Sequence, residues 1–336
     1  KRAGLKPVVL SSKEGLILLS GTTSVTAFAS LAIYDAQTLS LTADIAGSFT
    51  LEVLKGTLMA MDERLMAVRP HPDQINTAAN IRAILKDSPM LERYRGHRVQ
   101  DALSIRCMPQ LHGPVKKAVK DAQATLAIEL NSSVDNPLIF DEEDGGAVAL
   151  MGCNADGTYA GMASDNLCIA ITDLCKMSNS RIDRLLNSLV SELPAFLNKN
   201  ADFNNGLMMI QYASAGLQGE LRILAHPAVV DNLTTCANQE DYVNMGYNAA
   251  KKAYDSMHLA KYILAAELIC DGQALDCYED KRCAKGTQAI YDLLRSKVPE
   301  MDNDMPLTPY LEAVAQQIID GAYIRTVEAS VGALKF

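Results

Sequence analysis

Eight stretches of this chain space apolar side chains three and four residues apart, and three of those stretches exceed thirty residues. They are 36–66, 72–87, 114–130, 158–192, 206–224, 238–271, 286–297 and 307–331, with Ala, Leu, Met, Glu and Lys filling the positions between. That period is the signature of helices that bury one face, and the filler residues favour helix intrinsically. In 158–192 and 238–271 the apolar content spreads around the helix instead of forming one narrow stripe. Helices of that kind are buried on several sides, as in a long-helix bundle whose outer faces meet other subunits. Start signals recur, such as Ser11 before Lys13-Glu14, Asp73, and Asn238 ahead of Glu240 and Asp241. Gly113-Pro114 and Gly272 read as stops. One pair of short runs, Leu138 to Phe140 and Ala147 to Leu150, flanks an acidic, Gly-containing turn and reads as a β-hairpin. The 336 residues show no repeat and no Pro- or Gly/Ser-rich linker, so a single helical domain over 1–336 is expected.

Several function classes are disfavoured. A net charge of −9 disfavours a nucleic-acid partner, which needs clustered Lys and Arg. The basic run Arg93, Arg95, His97 and Arg98 lies beside Glu92 and Asp101 and reads as an ion-paired surface. Residues 15–34 are uncharged and long enough to span a bilayer, but six Ser and Thr residues and Gly21 interrupt them. A buried helix explains them better than a membrane span. The eight cysteines lack metal-ligand spacing, and Cys168 and Cys270 stand in apolar surroundings. No metal is expected, and the thiols suit a reducing, cytoplasmic compartment.

Spacing alone leaves the chemistry open. Gln100, Leu103 and Arg106 recur every third residue and so share a face of a helix or tight turn. Arg106 there could clamp a carboxylate through two parallel hydrogen bonds, or tie down a helix end or pair with Asp101. Asn238 to Asp241 fits an N-cap with acids in the first turn, or a carboxylate held at a cavity wall. Asp135-Asn136-Pro137 reads as a turn.

The combination of motifs resembles the aromatic amino acid lyase and aminomutase family, in its histidine ammonia-lyase branch. Lys13-Glu14-Gly15-Leu16 with Leu19-Ser20-Gly21-Thr22 resembles K-E-G-L-A-L-L-N-G-T. Arg69-Pro70-His71-Pro72 and the run Gln100 to Cys107 with Pro109-Gln110 are similar to R-P-H-P and Q-D-x-Y-S-L-R-C-x-P-Q. Val134 to Leu138, Leu224 to Ala228, and Ala237 to Asp241 match S-D-N-P-L, L-A-H-P-A and A-N-Q-E-D in the same order. The resemblance implies an all-α bundle of the fumarase/aspartase-like type, lacking the family's N-terminal third. It further implies a homotetramer whose active sites draw on three subunits, with the missing segment as a possible separate chain. A methylidene-imidazolone electrophile and a tyrosine base would both come from upstream of residue 1, or be absent, and no cofactor is expected within this chain.

Carried over position by position, Arg106 would hold the substrate carboxylate, with Gln100 and Asn136 bonding nearby. Glu240 would face the amine or imidazole, and Gln239 would line the same wall. Several matching positions differ: Ser20 replaces Asn, Leu103 replaces Tyr, and Gly152-Cys153-Asn154-Ala155-Asp156 replaces G-G-N-F-H. The family reading implies an ammonia-lyase acting on histidine or a similar amino acid. The changed positions also fit an ergothionase-like lyase that releases trimethylamine from a betaine without the electrophile. In that reading Ala155 makes room for the head group and Asp156 or Glu240 faces its charge. A third reading is an inactive scaffold.

Overall fold

The computed structural model describes residues 3–200 and 203–336. A short exposed turn, α1 (Glu14–Ile17), opens the ordered elements, and its Glu14 carboxylate accepts a hydrogen bond from the Ser11 amide at 2.6 Å. The chain breaks at Gly21, whose φ of 101° places it where a Cβ would strike the Val134 carbonyl. Then α2 (Thr23–Val53) runs 31 residues. The expected boundaries 36–66 were therefore set too far along, and the uncharged segment 15–34 divides into an exposed turn and the first third of α2. Ser and Thr are poor helix formers in isolation. Inside α2 they are accommodated by bonding back to the preceding turn: Ser40 to the Ala36 carbonyl at 2.6 Å, Thr42 to Thr38 at 2.8 Å, Ser48 to Asp44 at 2.6 Å.

After α3 (Glu63–Ala67) comes α4 (Pro72–Ile84), with Pro72 in its first turn, then α5 (Pro89–Arg93), the single turn α6 (Leu103–Arg106) and α7 (Met108–Glu129). Pro114 lies inside α7, so Gly113-Pro114 is not a stop. Gly113 serves close packing instead: a Cβ there would lie 2.7 Å from the Gln74 amide nitrogen of α4. The hairpin forms as expected, β1 (Leu138–Asp141) against β2 (Ala147–Leu150), with Leu138 opposite Leu150.

The second half holds α8 (Thr158–Leu186), α9 (Ser188–Ser191), α10 (Met208–Leu224), α11 (Gly246–Asp276), α12 (Lys285–Arg295), α13 (Thr308–Ile319) and α14 (Ala322–Val331). The expected 307–331 helix splits at Gly321, φ 68°. The expected start of the long helix at 238 is also wrong. Asn238 lies in a left-handed turn, and the asparagine next to the start of α11 is Asn244, one residue before the N-cap Met245; the Asn244 Oδ1 accepts from the Gly246 amide at 3.0 Å.

The core is three long helices running parallel. At one end Gly157, Gly161 and Gly246 let the starts of α8 and α11 touch, with a Cβ on Gly161 falling 2.8 Å from the Gly246 Cα, while Val25 of α2 abuts Gly157. At the other end Thr50 of α2 donates to Asp271 of α11 at 2.7 Å, and Arg181 of α8 pairs with Glu267 of α11 at 2.5 Å. Two helices run back between the ends. Gln123 of α7 bonds Gln37 at 3.0 Å while Lys116 pairs with Asp44 at 2.5 Å, so α7 opposes α2. Gln211 and Ser214 of α10 bond Asp183 and Asn179 of α8 at 2.7 and 2.6 Å, so α10 opposes α8. Cys168, Cys175 and Cys270 are free thiols packed in this core. Among the described residues, no helix is long and apolar enough to cross a membrane.

Candidate functional site

The candidate residues divide between the two ends of the bundle. Ser20 stands just before α2, Ala155 and Asp156 just before α8, and Gln239 and Glu240 in the loop that leads into α11. Contacts knit these helix starts together. Lys13 pairs with Asp135 and bonds the Pro137 carbonyl, which ties the first motif to the Asp-Asn-Pro turn. Asn136 accepts from the Gly152 amide at 2.9 Å, and Asp156 accepts from Asn244 at 2.9 Å. The loop before α11 is held by Asn232, which donates to the Asp241 carbonyl at 3.0 Å and accepts from the Val243 amide at 2.8 Å.

Asp156 is committed on both oxygens, because the second caps α8 by accepting from the Thr158 amide at 2.9 Å. Glu240 is differently placed. It is exposed, and Thr235 donates to its carboxylate at 2.6 Å. The hydroxyl of Thr235 and, after it, the thiol of Cys236 hold that carboxyl below its ordinary range. Cys236, Ala237 and Asn238 all take positive φ, at 49°, 51° and 69°, giving a left-handed turn without glycine. Such a conformation costs roughly 1–2 kcal/mol at Cys236 and at Ala237, and less at Asn238, since asparagine visits it more readily.

Gln100, Leu103 and Arg106 lie at the opposite end. Arg181, near the far end of α8, donates to the Ser104 carbonyl of α6 at 3.3 Å, and Asp101 accepts from the Thr57 amide at 2.8 Å. Asp101 is thus occupied with Thr57. The Arg106 Nε is buried without a hydrogen-bond partner among the described residues. Gln100 is exposed in the loop before α6 instead of sharing its helical face, and Leu103 is 61% exposed. The neighbouring basic residues are paired: Arg95 with Glu92, Arg93 with Asp280, and His97 and Arg98 both with Glu192. Asp156 and Arg181 are 25 positions apart along α8, so at about 1.5 Å per residue the two groups are roughly 37 Å apart. Arg106 and Glu240 of one copy cannot meet on one small molecule. Linear motif order gave no signal of this separation. Thr235, which bonds Glu240, and Arg181, which bonds the turn that carries Arg106, were missed because a lone Thr or helical Arg carries no pattern of its own.

Exposed apolar residues follow the bundle's flanks, including Tyr159, Met162 and Ile169 on α8 and Met209, Tyr212 and Ile223 on α10. Exposed apolar faces of this extent mark surfaces that associate.

The bundle of parallel long helices carries a buried arginine nitrogen at one end and an exposed carboxylate at the other, and the chain belongs to the aromatic amino acid lyase family, whose model matches residues 1–296. Within that family it is 41% identical over 329 residues to histidine ammonia-lyase of Alkaliphilus oremlandii, covering 98% of this chain and 64% of the relative. The crystal structure of histidine ammonia-lyase from Trypanosoma cruzi matches with a TM-score of 0.89 at 34% identity, over 98% of this chain and 62% of that one. Ergothionase from Treponema denticola, in complex with desmethyl-ergothioneine sulfonic acid, matches with a TM-score of 0.87 at 25% identity, over 96% of this chain and 64% of that one. The chain therefore spans a little under two thirds of each of these relatives.

Proposed function

We propose that this chain forms the larger part of a carbon–nitrogen lyase that eliminates the α-amine of histidine or a histidine-like amino acid, giving a urocanate-type product. The observation that carries the reading is the pair of complementary half-sites. A buried guanidinium nitrogen without a partner at one end suits a substrate carboxylate, and an exposed, low-pKa carboxylate at the other suits a cationic amine or imidazole. The distance between them calls for a site built from different copies, which supports a homotetramer with the exposed faces of α8 and α10 in its contacts. The free thiols favour a cytoplasmic setting.

In the elimination the Cα–N bond breaks with its electron pair leaving on the amine, Cβ gives its proton to a base, which in the family is a tyrosine of the upstream segment, and a C=C bond forms. Arg106 fixes the carboxylate, with Gln100 beside it, and Asn136 bonds the substrate from the other half-site. Glu240, flanked by Gln239, stabilises the cation and orients the ring. In the family a methylidene-imidazolone group from the upstream segment converts the amine into a leaving group. The fit of this chain to that group is incomplete, because Ser20 offers a hydroxyl but Leu103 presents only hydrocarbon.

That misfit favours a second reading. A quaternary ammonium leaves as neutral trimethylamine and has no lone pair with which to attack an electrophile, so an ergothionase-like betaine lyase needs neither Asn at 20 nor Tyr at 103. Ala155 removes bulk there, and with Asp156 occupied in capping, Glu240 is the acid left to face the head group.

The complete gene product, upstream segment included, should be incubated with histidine and with ergothioneine separately, and the released amine identified by mass spectrometry. Ammonia with urocanate supports the first reading and trimethylamine the second. Release of neither amine would bring forward the inactive scaffold. In the active case Arg106→Ala should lower kcat/KM on the order of 10- to 100-fold through lost charge-assisted bonds to the carboxylate; unchanged turnover would refute the assigned clamp.

A further inference from the structure

Six residues before α11 form a closed loop of unusual backbone. The Thr235 amide donates to the Glu240 carbonyl at 2.8 Å, and the two residues form an isolated antiparallel bridge. Between them the chain turns through three consecutive left-handed residues, held by Asn238 N to Thr235 O at 3.1 Å and Gln239 N to Cys236 O at 3.0 Å. None of the three is glycine, so the loop keeps a conformation that its own residues disfavour. The Thr235 side chain then crosses the neck of the loop to reach the Glu240 carboxylate at 2.6 Å. The loop is exposed throughout, so burial does not impose this shape.

We propose that Thr235 is a positioning residue and that the left-handed turn Cys236–Asn238 is a rigid mount, which together present the Glu240 carboxylate in one fixed direction to a cationic substrate group. The inference rests on the reading of Glu240 as the substrate-facing acid. The hydroxyl bond, with the Cys236 thiol beside it, removes the rotation that an exposed glutamate otherwise has, while the carboxylate stays open to solvent and to a ligand. Ordering that side chain in advance lowers the entropy lost on binding. The strain in the turn holds the neck in register, so that the hydroxyl and carboxylate stay opposed.

The test is a double-mutant cycle in the complete protein, with histidine and ergothioneine as the probes. Thr235→Val should lower kcat/KM on the order of tenfold or more, while Thr235→Ser, which keeps the hydroxyl, restores most of it. In an E240Q background the Thr235→Val change should have little further effect, since its role runs through Glu240. Ala237→Gly relieves the backbone strain, so it should raise the melting temperature while lowering kcat/KM, a split that a purely structural role would not give. If E240Q leaves turnover of either probe intact, or neither probe is turned over, the reading of Glu240 falls and the inference with it. If E240Q lowers turnover and Thr235→Val matches the parent, the inference alone falls.

Discussion

Arg181 is wholly buried, donates to Glu267 at 2.5 and 3.0 Å, and also reaches the Ser104 carbonyl. It therefore joins two core helices to the turn that carries Arg106. Removing one partner of a buried pair leaves an uncompensated charge, so Arg181→Ala should destabilise the fold by about 3–5 kcal/mol, as read from urea unfolding. Asp271 beside it behaves differently. Burial first, and then the charge of Glu267, push its pKa well above the ordinary carboxylate range. The folded state thus holds a proton that the unfolded state releases above its ordinary pKa. The stability from this group is present below that value and is lost as pH rises toward the folded pKa. Asp271→Asn keeps an oxygen for Thr50 and cannot titrate, so its stability should decline less with rising pH. Melting curves from pH 5 to 8 that run parallel for the two proteins would contradict this.

At the scale of elements, Pro114 sits exposed inside α7 and denies the Gln110 carbonyl its helical donor. Pro114→Ala restores that bond but frees the unfolded chain. The net expectation is a gain of about 1 kcal/mol, visible as a higher melting temperature. The same element shows what patterning can and cannot reveal. A Gly-Pro pair usually punctuates a helix, yet here Gly113 answers to the closeness of α4 and Pro114 is tolerated on a solvent face. Likewise Asn238 to Asp241 imitates a capping sequence, whereas α11 begins at Gly246 with Asn244 bonding its first amide. The hairpin was legible because its turn residues and alternation are local. The bounds of α2 were not, because its break at Gly21 answers to the close approach of the Val134 carbonyl, a contact distant in sequence. Candidate residues could be read from motif order, but their partition between helix starts and α6 depends on the parallel course of α2, α8 and α11, a long-range property.

For the whole molecule, that partition makes a prediction about mixtures. If each site takes its arginine half from one copy and its carboxylate half from another, then R106A and E240Q proteins should complement each other. In a random equal mixture, half of the copies at each contributing position are intact for that half-site. The fraction of sites with both halves intact is one half of one half, about a quarter of normal activity. Co-expression of the two variants followed by an activity assay measures it. Activity that stays at the level of the separate variants would place both halves of the site in one chain.

The 29-residue length of α8 has a consequence for how such sites can vary. A straight helix acts as a spacer whose length is counted in residues, and both half-sites are fastened near its ends. Inserting four residues near its middle would shift one end by about 6 Å relative to the other while turning it only slightly. No side chain in either half-site would change, yet every pair of halves meeting between copies would be out of step. If the sites are built between copies as proposed, evolution of specificity is thereby confined to substitutions within the half-sites, because the interval between them would be shared by all the sites of the assembly at once.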